Sequence, residues 1–277
     1  MDQINIAAWK GRTETAEARA DAWPVQGLQA LLDAPPPDEG ATLPPLAHWC
    51  YFTPMVPQAR IGSDGHPQRG DFLPPVALPR RMWAGSDMTF ARPVPLGARL
   101  RKTAEIADIA EKQGKTGTMV FVKVRNLYAL AQDGAPCLEE MQTLVYRDDP
   151  APDAPKPAPR PAPGDAEWSQ PACPDEAMVF RFSAVTFNAH RIHYDHPYAT
   201  GTEGYEGLVV QGQLLATLML RAMPALPLAA FSFRAVQPVF VGENIRAEGR
   251  FCDDGTAQLW IADKEGKLRM SGEARLV

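Results

Sequence analysis

GQLLATLMLRAM, residues 212–223, is apolar on almost every side; Arg221 is its only charge, and Pro224 follows it. A bilayer span needs about 20 apolar residues, so this stretch is too short to cross a membrane. As a helix without a polar face it must be buried all round. The simplest cover in a strand-rich chain is a sheet wrapped around it. TMVFVKVRN, residues 118–126, has the required pattern, with Val120, Val122 and Val124 alternating against Met119, Phe121, Lys123 and Arg125. Such alternation predicts a half-buried antiparallel strand. MVFRFSAVTF, residues 178–187, alternates similarly and predicts another strand. The expected class is α+β. In the first half, LPPLAHWCYFTP (residues 43–54) and PVQGLQALLDA (residues 24–34) both qualify as the helix matching 212–223.

PAPDAPKPAPRPAPG, residues 150–164, places proline at nearly every second position. Fixed φ angles and missing N–H donors favour an extended polyproline II spacer, so residues 149–164 are expected to link a first unit, 1–148, to a second, 165–277. A short internal repeat supports two copies of one fold. PVPLGARLR at 93–101 and PVFVGENIR at 238–246 share Pro-Val-x-(Leu/Val)-Gly-x-x-(Leu/Ile)-Arg at an offset of 238 − 93 = 145 residues. Strand-like sequence follows each, closing on MQTLVYR in one case and GEARLV in the other.

Composition narrows the function. A hydrophobic fraction of 45%, 22% charged residues and a net charge of −5 describe a globular protein. They argue against nucleic acid as the main partner, which clustered Lys and Arg would attract. Cys50, Cys137, Cys173 and Cys252 lie far apart, without a CxxC pair, so reduced thiols in a cytoplasm are expected. The start MDQINIAAWKGR lacks the basic-then-apolar order of a secretory signal.

Three of the five histidines fall in or beside FNAHRIHYD, residues 187–195: His190, His193 and His196. Metal binding is the weaker reading, because HExxH is absent and no second cluster completes a shell. Any one of these histidines could simply cap a turn or sit on the surface, and His196, before Pro197, is read so. As a group they suit acid/base chemistry, since imidazole titrates near neutral pH. EGYEGLVVQGQL, residues 203–214, leads into the apolar helix. Gly212 opens that helix, whose first N–H groups could hold an oxyanion such as a thioester enolate, or the glycine could serve packing alone.

FNAHRIHYD and EGYEGLVVQG, together with AHWCYF, GSDGHPQRGDFLPP, LPRRMWAG and KQGKTG in the first half, resemble the MaoC-like hot-dog hydratases and dehydratases. The match is closest to the double hot-dog branch that holds the mitochondrial type 2 hydroxyacyl-thioester dehydratases and the mesaconyl-C4-CoA (3-methylfumaryl-CoA) hydratases. The resemblance implies two hot-dogs, each an antiparallel sheet around a helix, paired as a pseudo-dimer, with chemistry in the second half. It implies that the first half has lost catalysis and shapes the acyl or pantetheine tunnel. His193 matches the catalytic histidine of D-x-N-x-x-H, and Gly212 the oxyanion position. Asn188 stands where the family has aspartate, His190 where it has asparagine, and Gln211 where a histidine often precedes the glycine. An amide cannot exchange a proton as a carboxylic acid does, so Asn188 is left to position water or the thioester. Proton transfer falls to His193, helped by Asp195, Glu203 or Glu206.

His190, Arg191, Tyr194, Tyr205, Val210 and Arg81 are the expected substrate-binding residues. Arg191 could grip a substrate carboxylate or bridge to Glu203 or Asp195, and Arg80, Arg81 and Arg92 could meet the CoA phosphates. The implied activity is reversible hydration of an α,β-unsaturated acyl-CoA, foremost mesaconyl-C4-CoA to citramalyl-CoA. Itaconyl-CoA hydration and 3-hydroxyacyl-thioester dehydration are alternatives within that chemistry, with a thioesterase or a non-catalytic acyl-CoA-binding protein outside it. No cofactor is expected beyond the CoA of the substrate, and no metal, nucleic acid or membrane partner; a homodimer of double hot-dogs is.

Overall fold

The computed structural model describes residues 5–114, 117–149 and 158–277. Ten strands form one antiparallel sheet. The first half supplies β1 (Thr13–Arg19), β2 (Arg80–Phe90), β3 (Arg99–Gly114), β4 (Gly117–Leu130) and β5 (Pro136–Arg147). The second supplies β6 (Trp168–Ala172), β7 (Leu228–Ala235), β8 (Ile245–Phe251), β9 (Thr256–Asp263) and β10 (Leu268–Leu276). The spatial order β1-β3-β4-β5-β2-β7-β10-β9-β8-β6 reads the same way from either edge. β2 and β7 form the seam, paired from Gly85↔Arg234 to Thr89↔Ala230, and Arg234 Nη2 clasps both oxygens of Asp87 at 2.7 Å across it.

The repeat falls at equivalent turns. Gly97 and Gly242 have φ of +83° and +81°, a left-handed conformation that glycine adopts without penalty. Each starts the chain into an equivalent strand, β3 or β8.

The apolar stretch is α3 (Gly212–Ala222), with Leu214, Leu215, Ala216, Met219 and Leu220 buried. It lies against β6, β8, β9 and β10, so a sheet covers it as its composition demands. The architecture is a double hot-dog. The two helix candidates of the first half separate by size. PVQGLQALLDA lies mostly within α1 (Ala22–Leu31), while AHWC forms only a four-residue 3-10 turn, Ala47–Cys50. Both join the main apolar core, which runs through the two halves from Val25 and Trp49 to Leu214 and Phe231.

Beneath that short turn lies a fully buried carboxylate. Glu140 accepts hydrogen bonds from Trp49 Nε1 (3.2 Å), Ser86 Oγ (2.8 Å), Tyr128 OH (3.3 Å) and Gln142 Nε2 (3.0 Å), with His48 Nε2 at 3.4 Å.

Residues 178–187 are not a strand. They lie in α2 (Glu176–Thr186) and its C-cap, with Asp175 capping the N-terminus through Met178 N–H at 2.8 Å. Val179, Phe182, Val185 and Thr186 form the buried stripe, at three- and four-residue spacing that fits a helix packed on α1. Residues 150–157 of the proline-rich segment lie outside the described residues. Its remainder is hydrogen-bonded to the β9–β10 turn rather than free: Ala162 N–H donates to the Gly266 carbonyl, and Leu268 N–H to the Arg160 carbonyl, each at 2.8 Å.

Candidate active site

The motif FNAHRIHYD starts where α2 stops. Phe187 closes the helix in a left-handed conformation, φ +49°, and a 3-10 turn, Arg191–His193, follows. Asn188 is occupied locally, its Oδ1 accepting the His190 N–H at 3.1 Å. This turn, of the kind Asn forms readily, projects the two histidines on either side of Arg191.

His193 is buried, and its Nδ1 lies 2.7 Å from the Val209 carbonyl oxygen. A carbonyl only accepts, so Nδ1 carries the proton and Nε2 keeps its lone pair. Burial pulls the His193 pKa down to about 4, against the raising effect of the Val209 bond, leaving a neutral base at physiological pH. Val209 lies three positions before Gly212, where α3 begins with its first N–H groups unpaired by the helix. The carbonyl that orients His193 is thus on the same short segment that aims the helix start. A side chain at Gly212 would meet nothing closer than Met270 Cε at 4.0 Å, so close packing is not what places a glycine there.

The histidine cluster is not confined to the second half. His66, from the segment between α1 and β2, packs on His190 with ring centroids 4.0 Å apart at a 39° tilt, and His190 meets His193 edge-on at 5.5 Å. Asp64 holds His66 twice: Oδ1 accepts the His66 N–H at 2.9 Å, and Oδ2 lies 3.1 Å from Nδ1. The two loops are in backbone contact. Arg191 N–H donates to the Asp64 carbonyl at 2.9 Å, and Arg191 Nη1 to the Ser63 carbonyl at 2.9 Å. Gly65, at φ +89°, leaves room for this, since a Cβ there would lie 1.9 Å from the Ala189 carbonyl oxygen.

Burial, then the charges of neighbouring rings, pull His190 down to about 2. Burial and the Arg81 guanidinium bring His66 to about 4 despite Asp64. Burial pushes the Asp64 carboxyl up, but its bonds to His66 and the nearby Arg81 outweigh this and hold it below the usual carboxylate range. The cluster is therefore three neutral imidazoles with one carboxylate behind them.

The other expected site residues are placed variously. Arg191 is bound to Asp195 through Nε and Nη2 at 3.0 and 2.7 Å and lies 4.2 Å over the Tyr198 ring. It orders the loop. Arg80, buried in β2, binds Asp149 at 2.6 Å and the Glu203 carbonyl, and lies 5.8 Å over Tyr205. Burial raises the pKa of Glu203, whose Oε1 accepts from Tyr198 OH at 3.3 Å. Arg81 pairs across the ladder with Tyr146, and among the described residues no carboxylate forms an ion pair with it. Arg92 is exposed and pairs with Asp133, Tyr194 is 54% exposed, and Val210 is buried in the core. Gln211 is also buried, giving Nε2 to Val179 O and Ser183 Oγ at 3.0 and 2.9 Å. His196 is exposed. Among the described residues no group of three or more His, Cys, Asp or Glu is gathered to hold a metal ion, and no helix is long and apolar enough to cross a membrane.

Asp64 and His66 lay within GSDGHPQRGDFLPP, yet nothing in that stretch identifies them as neighbours of His190; only an acid and a histidine flanking a glycine could have marked them.

A family model for hydroxyacyl-thioester dehydratase type 2 matches residues 46–241, a span that includes both loops of the cluster and all of α3. The chain is 44% identical over 248 residues to the mesaconyl-C(4)-CoA hydratase of Chloroflexus aurantiacus, covering 87% of each protein. Its fold matches a MaoC-like dehydratase from Phytophthora capsici with a TM-score of 0.70 at 16% identity, covering 98% of this chain and 97% of the other. It also matches a double hot-dog protein of Mycobacterium tuberculosis with a TM-score of 0.60 at 15% identity, over 97% and 96% of the two chains. With the family model spanning most of the chain and the helix, histidine and glycine elements all inside it, the chain belongs to the hydroxyacyl-thioester dehydratase type 2 family.

Proposed function

We propose that the protein is a hydro-lyase that reversibly hydrates an α,β-unsaturated acyl-CoA, with mesaconyl-C4-CoA to citramalyl-CoA as the leading substrate and product. The observation that carries this reading is buried His193, its tautomer set by the Val209 carbonyl three residues before α3 starts. Neutral His193 takes a proton from water through Nε2 as the water oxygen bonds to Cβ. The π electrons move to Cα and the thioester oxygen, which the first N–H groups of α3 hold. His193 then returns its proton to Cα, so one water is added overall. In reverse, the same steps dehydrate a 3-hydroxyacyl thioester, the reaction named for the family.

The 44% identity to a mesaconyl-C(4)-CoA hydratase supports a substrate with a distal carboxylate. Arg191, engaged by Asp195, is a poor receptor for it; Arg81 is the better one, because guanidinium binds carboxylate in a fork and, among the described residues, Asp64 acts on it without forming an ion pair. Tyr205 and His190 line the acyl path. The CoA of the substrate supplies the activation, and no further cofactor is invoked. Residues 1–148 and 165–277 act as the two hot-dog units joined by the 149–164 linker. Four free cysteines fit a cytoplasmic setting. Pairing of two chains would give 2 × 30.3 = 60.6 kDa by light scattering.

The test is a panel of enoyl-CoA thioesters with and without a distal carboxylate, followed by loss of double-bond absorbance. Hydration of mesaconyl-C4-CoA that disappears in a folded H193A variant is the expected result. Free thiol release without that absorbance change would instead indicate a thioesterase, and binding without turnover a carrier.

A further inference from the structure

The geometry points to His66, positioned by Asp64, as a second catalytic residue: it accepts a hydrogen bond from the reacting water and takes over the water-holding task of the aspartate whose place Asn188 fills. This rests on the hydration reading above. Asn188 spends its Oδ1 on the His190 N–H, so the amide in the motif's aspartate position is committed to shaping the turn. The carboxylate that the cluster does contain, Asp64, arrives from the other half of the chain. It touches a histidine rather than standing alone, with Oδ2 at 3.1 Å from His66 Nδ1.

Asp64 also fixes the chemistry of the ring. With its carboxylate ionised, the proton of His66 sits on Nδ1, and Nε2 is left with a lone pair. The ring lies 4.0 Å from that of His190, which in turn meets His193 at 5.5 Å, so the three imidazoles form one contiguous cluster, and in this assignment one water bridges the Nε2 atoms of His66 and His193. Water has two O–H bonds to offer them. His193 takes one proton outright; the other O–H stays intact and donates to His66 Nε2, which holds the oxygen lone pair in line with Cβ. No additional proton or co-reactant enters, and the product carries the retained hydrogen as its hydroxyl. The negative charge of Asp64 strengthens His66 as an acceptor. Asp64 is a positioning residue, acting only through His66.

The arrangement is built in. Arg191 ties its own N–H and Nη1 to the carbonyls of Asp64 and Ser63, so the loop that brings His66 is fastened to the loop that carries His193. Neither half holds both acceptors.

Full-length H66A, H66Q, D64N and H193A variants, with folding checked by circular dichroism, would be assayed on mesaconyl-C4-CoA. H66A should lower kcat about 100-fold while KM moves by less than about threefold, and added imidazole should restore part of kcat. H66Q, whose amide oxygen can accept the same hydrogen bond, should retain more activity than H66A. D64N should lower kcat about 10-fold by releasing the ring. The inference is overturned if folded H66A keeps kcat within about threefold of the parent, if its loss lies in KM alone, or if neither imidazole nor glutamine improves on alanine. Should H66A not fold, the H66Q and D64N values decide between the same outcomes. An inactive H193A beside an active H66A sinks this inference and leaves the hydration reading standing. An active H193A sinks the role given to His193 there, whatever His66 does.

Discussion

Gly65 takes no part in the proposed chemistry, yet it sets how closely the two histidine loops approach. Its φ of +89° and the 1.9 Å that would separate an added Cβ from the Ala189 carbonyl oxygen mean that any side chain both strains its own backbone and pushes the two histidine loops apart. Gly65→Ala should cost about 1–2 kcal/mol from the backbone alone. It should lower turnover at least 10-fold, measured with the melting temperature to separate the two effects. His193 makes a prediction of its own. A base must be unprotonated to act, and burial holds His193 near 4 rather than the ordinary 6.5. The acid limb of kcat/KM, which reports the free enzyme, should therefore lie near pH 4 to 5. A limb near 6.5 would show that this imidazole is not the base. At this scale the motif singled out His193 as a candidate, while the Val209 carbonyl that fixes its Nδ1 proton came only with the fold. It could not tell that His66 belongs with it, since 190 − 66 = 124 residues separate the packed rings and only the folded sheet brings them together.

Among the elements, α3 was legible because an apolar run with one charge allows no other placement, and β4 because Val120, Val122 and Val124 keep strict alternation. α2 was not. Met178, Phe180 and Phe182 imitate a strand face, yet Phe180 is 67% exposed while Val179, Phe182 and Val185 are buried; the surface of α1, absent from any local window, decides which periodicity is used. The signal that was present is Asp175, three residues before Met178, a helix N-cap rather than a strand start. Asp175→Ala should destabilise the protein by about 1 kcal/mol in chemical denaturation. Leu214→Ala, which empties a position in α3 with no exposed surface, should cost about 2–5 kcal/mol. The first-half counterpart was left open between two stretches, because neither 24–34 nor 43–54 is apolar on every side and both meet the same core.

Over the whole molecule, the mirrored strand order and the turn glycines 97 and 242 match what the 145-residue repeat announced, while the seam could not be foreseen from it: the repeat says that the halves are alike, not which strands join. The main core, which draws on both halves, predicts one unfolding transition, with tryptophan fluorescence and circular dichroism coincident. Glu140→Ala would strand the donors of Trp49, Ser86 and Tyr128 in the interior and should cost about 3–5 kcal/mol, read from the denaturation midpoint. The histidine cluster adds a pH term of definite sign. The unfolded chain takes up protons near 6.5, while folded His66 and His193 resist them until about 4, so the unfolded state binds more protons in that window. Stability is fully present above pH 6.5 and falls as pH drops toward 4, by roughly 3 kcal/mol for His193. The fastening of Arg191 to Asp64 and Ser63 also bears on synthesis. Asp64 leaves the ribosome 191 − 64 = 127 residues ahead of its anchor, so during translation the first loop waits without its counterpart, and the nascent protein stays inert toward thioesters until the second half has docked.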